Sequence, residues 1–307
     1  MKISESRDSF NPNSDETIDK LFNRIKHDFE EEFEGVVVEP ATTVKNNNIH
    51  YSGASIRDSD DAPAPTFWLD PIAQDIKEGR TTIDIAVEAI KDGYKNCLHN
   101  RPKMPVLSSE SAKENLFATV INAQKNSEFL SDAPHTIIED LAVVLRFGST
   151  HSGSAAVDNG FLKLLELTPS KAKKIAISNT ISKHFNVLPL GEYFNRLCHD
   201  DSVSESNPKL NHKMYVISND DFSLGAVIPF INKDARKMVL DIMEEEYYIL
   251  PSSIHECIAI GANEKDVTPD RLRQLVTDIN SSHIIPNEVL SNNVYFVDEK
   301  LDISLAP

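Results

Sequence analysis

Glycine is scarce in this chain, with 10 residues in 307, and none falls in a G-x-G-x-x-G or G-K-[ST] pattern. That excludes the glycine-built cradles that hold dinucleotides and nucleoside triphosphates, and no cofactor is expected. The run GSTHSGS from Gly148 to Ser154 lacks the Lys that would reach a terminal phosphate. Cysteine is scarcer still, at three residues, so there is no disulfide framework, and without a C-x2–4-C pair the usual structural zinc spacing is missing. The one tryptophan, Trp68, sits between Phe67 and Leu69 and reads as core packing rather than a stacking platform. Basic residues are outnumbered, 31 Lys+Arg against 48 Asp+Glu, for a formal net charge of −17. Such a surface repels phosphate backbones and anionic lipid, so neither nucleic acid nor membrane is expected as a partner. The one compact basic cluster, Lys171, Lys173 and Lys174, reads as a solvated helix end. No apolar run approaches the roughly 20 residues needed to span a bilayer. The opening MKISESRDSF is too polar for a secretory signal. The expectation is a cytoplasmic protein.

What is present is globular. Hydrophobic residues make up 40% and charged residues 26%, enough for one large or two modest cores. Ile18, Phe22, Ile25, Phe29 and Phe33 recur at steps of three and four and predict a helix over 15–34. VVVEPATTV and IHYSGASI flank Asn46-Asn47-Asn48 and predict a hairpin, since Asn tolerates the left-handed turn. Asp70-Pro71 opens a helix, with Asp70 as its cap. Strands are expected at 116–123 and 140–147. The small, polar stretch 148–160 is the expected linker, between an N-terminal half at 14–147 and a C-terminal half at 161–307, with 1–13 loose. Helices are expected at 173–185 and 190–198. In the last hundred residues, strands are expected at 214–218, 224–230, 247–250, 255–260 and 294–297, with helices from Asn232 and Thr268-Pro269 between them. That carboxy-terminal order, ββαββαβ, argues for an α+β fold: mixed or antiparallel sheets built from hairpins, with helices packed on one face.

One polar knot interrupts the apolar run YYILPSSIHECIAI. Alternation along the second strand puts Ile254, Glu256, Ile258 and Ile260 on one face and His255, Cys257 and Ala259 on the other. If the isoleucines face the core, Glu256 is a carboxylate at a core-facing position and a candidate acid or base, with His255 as its partner. The plainer reading is a turn. His255-Glu256 is not a zincin motif, because Ala259 stands where the second His would be. Ser252 and Ser253 are candidate nucleophiles, but no G-x-S-x-G elbow surrounds them and His255 follows too closely to turn back as base. His255 and Cys257 share a face and are weak candidates for half a metal site. Cys97 with His99 and Cys198 with His199 repeat the pairing of types, and buried thiols beside ordinary histidines explain all three.

YYILPSSIHECIAI, with the following TPDRLRQLVTDINSSHIIPNEVLSNNVYFVDE, resembles the carboxy-terminal signature of an uncharacterised bacterial domain-of-unknown-function family found mostly in anaerobic Firmicutes. KNNNIHYSGASIRDSDDAPAPTFWLDPIAQDIKEGRT and MYVISNDDFSLGAVIPF are similar to its amino-terminal and central patterns. The motif positions are Leu250, Pro251, Ser252, Ser253, Ile254, His255 and Glu256. The resemblance implies one architecture over most of the chain and brings no activity with it. Two functions are expected from different classes: a non-enzymatic binding, sensor or adaptor protein with another protein as partner, or a hydrolase-like enzyme built on Ser252–Glu256. The first expects an exposed apolar patch. The second expects a cleft where His255 or Glu256 meets Asp220, Asp221 or His283.

Overall fold

The computed structural model describes residues 15–58, 64–99, 107–150, 153–198, 214–251 and 253–307. The expected loose stretch 1–13 lies outside the described residues, and so does the candidate Ser252. The chain forms two compact units: Met1–Lys45 with Ile49–Lys103, and Asn46–Asn48 with Met104–Pro307.

The first unit contains α1 (Glu16–Glu32), β1 (Val37–Lys45), β2 (Ile49–Arg57), β3 (Thr66–Trp68), α2 (Asp70–Lys77) and α3 (Ile83–His99). Asp15 caps α1 by accepting from the Thr17 amide at 3.0 Å, which satisfies one of the helix's open donors. The apolar stripe of α1 buries Ile18, Leu21, Phe22, Ile25 and Phe29 against Val87, Ile90 and Tyr94 of α3 and Val38 and Ile56 of the hairpin. β1 and β2 pair antiparallel from Val37↔Arg57 to Lys45↔Ile49. Asn47 and Asn48 take φ values of 62° and 57° at the turn, the left-handed conformation expected of them. Asp70 does not cap α2. Leu69 holds that position, and the Asp70 carboxylate accepts from the Ser52 amide at 2.6 Å instead. Tertiary pairing with β2 takes the side chain away from its local use.

The second unit contains α4 (Ser109–Asn115), β4 (Leu116–Asn122), α5 (Ser127–Leu130), β5 (His135–Ile138), β6 (Leu141–Ser149), β7 (Gly153–Ala156), α6 (Asn159–Leu164), α7 (Pro169–Ser182), β8 (Phe185–Pro189), α8 (Leu190–Cys198), β9 (Met214–Asn219), α9 (Ile228–Ile231), α10 (Lys233–Met243), β10 (Tyr247–Leu250), β11 (Cys257–Gly261), α11 (Pro269–Ser282), β12 (Tyr295–Val297) and β13 (Ile303–Leu305). A six-stranded sheet runs β13-β12-β10-β11-β9-β8. A smaller one runs β4-β6-β5, with β7 also on β6. All strand pairs are antiparallel, and the α+β class holds. The large sheet has two buried faces. Tyr247, Ile249, Cys257 and Ala259 join a core with Ala235, Val239 and Met243 of α10 and with β4 and β6. Leu250 and Ile260, of opposite parity, pack on Leu272 and Val276 of α11. The sheet thus carries helices on both faces rather than on one.

Three expectations are corrected. Residues 148–160 do not read as a linker throughout: β6 continues through Gly148 and Ser149 and pairs with β7 from Arg146↔Ala156 to Ser149↔Gly153. Gly148 has φ 129°, and a Cβ there would come within 2.6 Å of the Gly153 carbonyl, so the small residues serve a close hairpin. The division between the units falls near residue 103 instead. Leu224–Phe230 is not a strand either. Leu224 is left-handed, and Gly225–Val227 forms a 3-10 turn that runs into α9. Pro229, in the first turn of α9, lacks the amide that a central strand would use. The order after residue 213 is therefore βααββαββ. The stretch expected as one helix to Phe185 ends at Ser182, and β8 follows it.

Candidate functional site

The described residues of the turn before β11 are held by several partners. The Ile254 amide donates to Glu288 O at 3.0 Å, and the Ser291 amide donates to Pro251 O at 3.1 Å. Ser253 bridges Val289, is buried, and accepts the His255 amide on Oγ at 3.0 Å. The His255 carbonyl accepts twice, from the Gly225 amide at 2.9 Å and from Ser218 Oγ at 2.9 Å. Its ring is committed at both nitrogens. Nδ1 accepts the Leu224 amide at 3.2 Å, and Nε2 lies 3.4 Å from Glu288 Oε1. An amide hydrogen on Nδ1 fixes the neutral ring as the Nε2–H tautomer, with that hydrogen facing Glu288. The Glu288 carboxylate holds the imidazole above its ordinary range, against the opposing effect of burial.

The isoleucine face of β11 is the shallower one. Cys257 and Ala259 are fully buried in the main core, while Glu256 lies on the side of Tyr193 of α8, whose hydroxyl donates to Oε2 at 3.3 Å. Burial pushes the Glu256 carboxyl above the ordinary carboxylate range. The His255 ring and hydrogen bonds from Tyr193 and Ser253 act the other way. Cys257 donates its thiol to Ala226 O at 3.4 Å, and burial pushes the thiol well up. The thiol hydrogen is thus committed to a backbone carbonyl. Among the described residues no group of three or more His, Cys, Asp or Glu side chains is arranged to hold a metal ion. Cys97 is an exposed free thiol, and His99 bonds Lys95 O at 2.8 Å. The Cys198 side chain and His199 lie outside the described residues.

The acids expected at the knot are elsewhere. Asp220 Oδ1 lies 2.8 Å from His184 Nδ1 and accepts from Asn186 Nδ2 at 2.8 Å. Asp221 accepts from the Thr150 hydroxyl, and His283 meets Ser282 Oγ at 2.6 Å. Asp220 and Asp221 instead line a cleft of about 280 Å³ in the second unit, with Thr150, Thr180, Lys183 and His184 as further polar lining and Phe117, Ala118, Val227 and Ile228 as its apolar part. His184 beside Asp220 holds that carboxyl below the usual carboxylate range. Thr180 fixes one wall: its hydroxyl donates to Ala176 O and accepts the Ala118 amide, each at 2.8 Å, which ties α7 to β4.

The loop that carries the two aspartates is built with strain. Phe222 and Leu224 have φ values of 48° and 57°, a conformation that side-chain-bearing residues rarely adopt without support. The support is explicit. Asn219 accepts the Ser223 amide at 3.1 Å and donates to Ser223 O at 2.6 Å, closing the loop on itself. Phe222 packs edge-on against Tyr193 at 5.3 Å, and Tyr193 in turn reaches Glu256. Leu224 and Gly225 hang on His255. The knot and the loop are thus connected by two routes, and the knot backs the wall of the cleft.

A family model described as a family of unknown function, DUF5688, matches residues 15–299. The chain belongs to that family. The span of the DUF5688 match includes both the knot and the 219–225 loop. No curated protein and no solved structure matches the chain. The motif residues were visible in the sequence, but the cleft was not. Its lining comes from β4, the β6–β7 turn, the end of α7 and the loop after β9. The signal that pointed toward it was the pair Asp220 and Asp221, expected beside His255 or Glu256 rather than in a cleft away from the knot.

The raised Glu256 carboxyl gives a testable sign. An acid whose folded pKa lies above its unfolded one keeps a proton in the fold that the unfolded chain has lost. Its contribution is present at low pH and is lost as pH rises through the folded value. Glu256→Gln keeps an acceptor for Tyr193. It is expected to match wild type in urea unfolding at about pH 5 and to exceed it at about pH 8. A variant that is weaker at both values would mean that Glu256 is ionised in the fold.

Proposed function

We infer that this protein works by binding a small polar ligand in the cleft of its second unit. The observation that carries this reading is the strained 219–225 loop, braced from behind by His255 and Tyr193, which sets two carboxylates beside Thr150, Thr180 and Lys183 in one concavity. Convergent polar groups over an apolar floor are the usual make-up of a ligand site, and backbone strain that is paid for by a surrounding network clusters at functional sites. The reading keeps the non-enzymatic class expected from the sequence and replaces the protein partner with a small molecule. No helix among the described residues is long and apolar enough to cross a membrane.

A hydrolase-like site at Ser252–Glu256 has less support. Both His255 nitrogens and the Ser253 hydroxyl are engaged in holding the turn, and Ser252 lies outside the described residues.

The test is a thermal-shift screen of polar metabolites, with native mass spectrometry of the purified protein for a retained ligand. A true ligand at about 100 times its Kd stabilises by roughly 2.7 kcal/mol. That gain is expected to vanish in Asp221→Asn and in Lys183→Ala while both variants stay folded. Hits that survive both substitutions, or no hit together with a stoichiometric bound protein, would overturn the cleft reading.

A further inference from the structure

The knot's histidine does something that neither a plain turn nor a catalytic pair would need. Leu224 sits in a left-handed conformation at φ 57°, and the hydrogen bond from its amide is accepted by a side-chain nitrogen, His255 Nδ1, at 3.2 Å. A ring nitrogen accepts only while it carries no proton. Protonating the ring puts a hydrogen on Nδ1 that points at the Leu224 N–H, so the bond is replaced by an opposition of two donors. The Nε2 side tolerates the change, because Nε2–H already faces Glu288 at 3.4 Å and an ion pair with that carboxylate gains from the positive charge. The two sides of the ring therefore pull in opposite directions on protonation: Glu288 is gripped harder and Leu224 is let go.

Among the described residues, few groups surround the ring. Glu288 faces it from the turn before Val289, and Glu256 follows it in the chain. Tyr193 of α8 meets Glu256. The His255 carbonyl keeps its hold on Gly225 and Ser218 whatever the ring's charge, so the hinge is confined to Leu224 and the residues before it. Those residues are the strained ones, and they place Asp220 and Asp221 on the cleft wall.

We propose that His255 is a positioning residue whose protonation releases the Leu224 amide and thereby couples pH to the presentation of Asp220 and Asp221 in the cleft. The role of the cleft rests on the ligand-binding reading above. The release itself does not. With the ring neutral, the loop is held in its strained form. With the ring charged, Leu224 loses its acceptor, and the strain at Phe222 and Leu224 favours relaxation. The Glu288 carboxylate places the switching range above that of an ordinary imidazole.

The experiment uses the protein without ligand. The His255 ring is followed by nitrogen chemical shifts, and the Leu224 amide by its hydrogen-exchange protection factor, across the titration. The expected result is an Nε2–H tautomer at high pH. The Leu224 protection factor falls at least tenfold at the pH where the ring titrates, while protection at Gly225 holds. Glu288→Gln leaves the fold's other contacts in place and should move both midpoints to lower pH together. A Leu224 protection factor that stays constant while the ring titrates would overturn the proposal, and so would midpoints that separate in Glu288→Gln. If Leu224 responds as stated and no ligand binds in the cleft at any pH, the coupling stands and the ligand-binding reading falls.

Discussion

Gly225→Ala is expected to cost the second unit about 3 kcal/mol, at the upper end of the range for overpacking a filled interior. A Cβ at this position would lie 2.6 Å from Ser218 Oγ, 2.7 Å from the Asn219 amide nitrogen and 2.9 Å from the His255 carbonyl oxygen. Two of these atoms are backbone, held in β9 and in the turn before β11, so no side chain can rotate out of the way. Relief requires the loop to draw back from His255, which stretches the Gly225 amide bond to the His255 carbonyl and the Leu224 bond to its ring. The variant should therefore lose urea stability by circular dichroism and also lose the cleft's geometry. Gly191, near the start of α8, is the matched control, because a Cβ there meets nothing within 4 Å. Gly191→Ala should be neutral or stabilising by up to about 1 kcal/mol, since alanine is the better helix former. Equal midpoints for the two variants would mean that the approach of Gly225 to the knot is not a constraint on this fold.

Phe29→Ala should be the most damaging single change in the first unit, at about 4 kcal/mol. The ring is fully buried. It stacks on Phe33 at 5.1 Å and meets Tyr94 edge-on at 5.4 Å, so its removal strips contacts from both α1 and α3 at the centre of a small core. A loss of that size is a large part of the 5–15 kcal/mol that holds a typical domain together. Trp68 makes the measurement local. It is the chain's only tryptophan and sits on β3 in the same unit, so its fluorescence in urea follows that unit alone. The midpoint should fall with little change in slope. Ile85 of α3 offers the contrast in the same unit: it is exposed, and Ile85→Ala should stay within about 0.5 kcal/mol. A Phe29→Ala midpoint close to wild type would mean that this core repacks around the gap.

Much of the local structure could be read from residue order because it rests on short-range rules. The stripe of α1, the Asn turn between β1 and β2, the Asn232 cap of α10 and the Thr268-Pro269 start of α11 each need only a few neighbouring residues to be specified. The errors came where a distant partner overruled a local preference. Asp70 has the chemistry of a cap but is taken by the Ser52 amide. Leu224–Phe230 has the composition of a strand but contains Pro229, and it is bent by the contact of Gly225 with the knot. Gly148 and Gly153 lie in a stretch with the composition of a linker and serve instead the close pairing of β6 with β7. The same division applies to the site. The sequence by itself determined that the chain is an acidic α+β protein with no glycine cradle and one polar knot, and that His255 and Glu256 are its unusual residues. Only the tertiary structure decided what they face. His255 meets a backbone amide 31 residues upstream and Glu256 meets a phenol 63 residues away. The cleft that they support is lined from segments more than one hundred residues apart. Residue type and spacing record what a side chain is able to do. Its partner is set by how the sheets and helices pack, and that information is spread over the whole core.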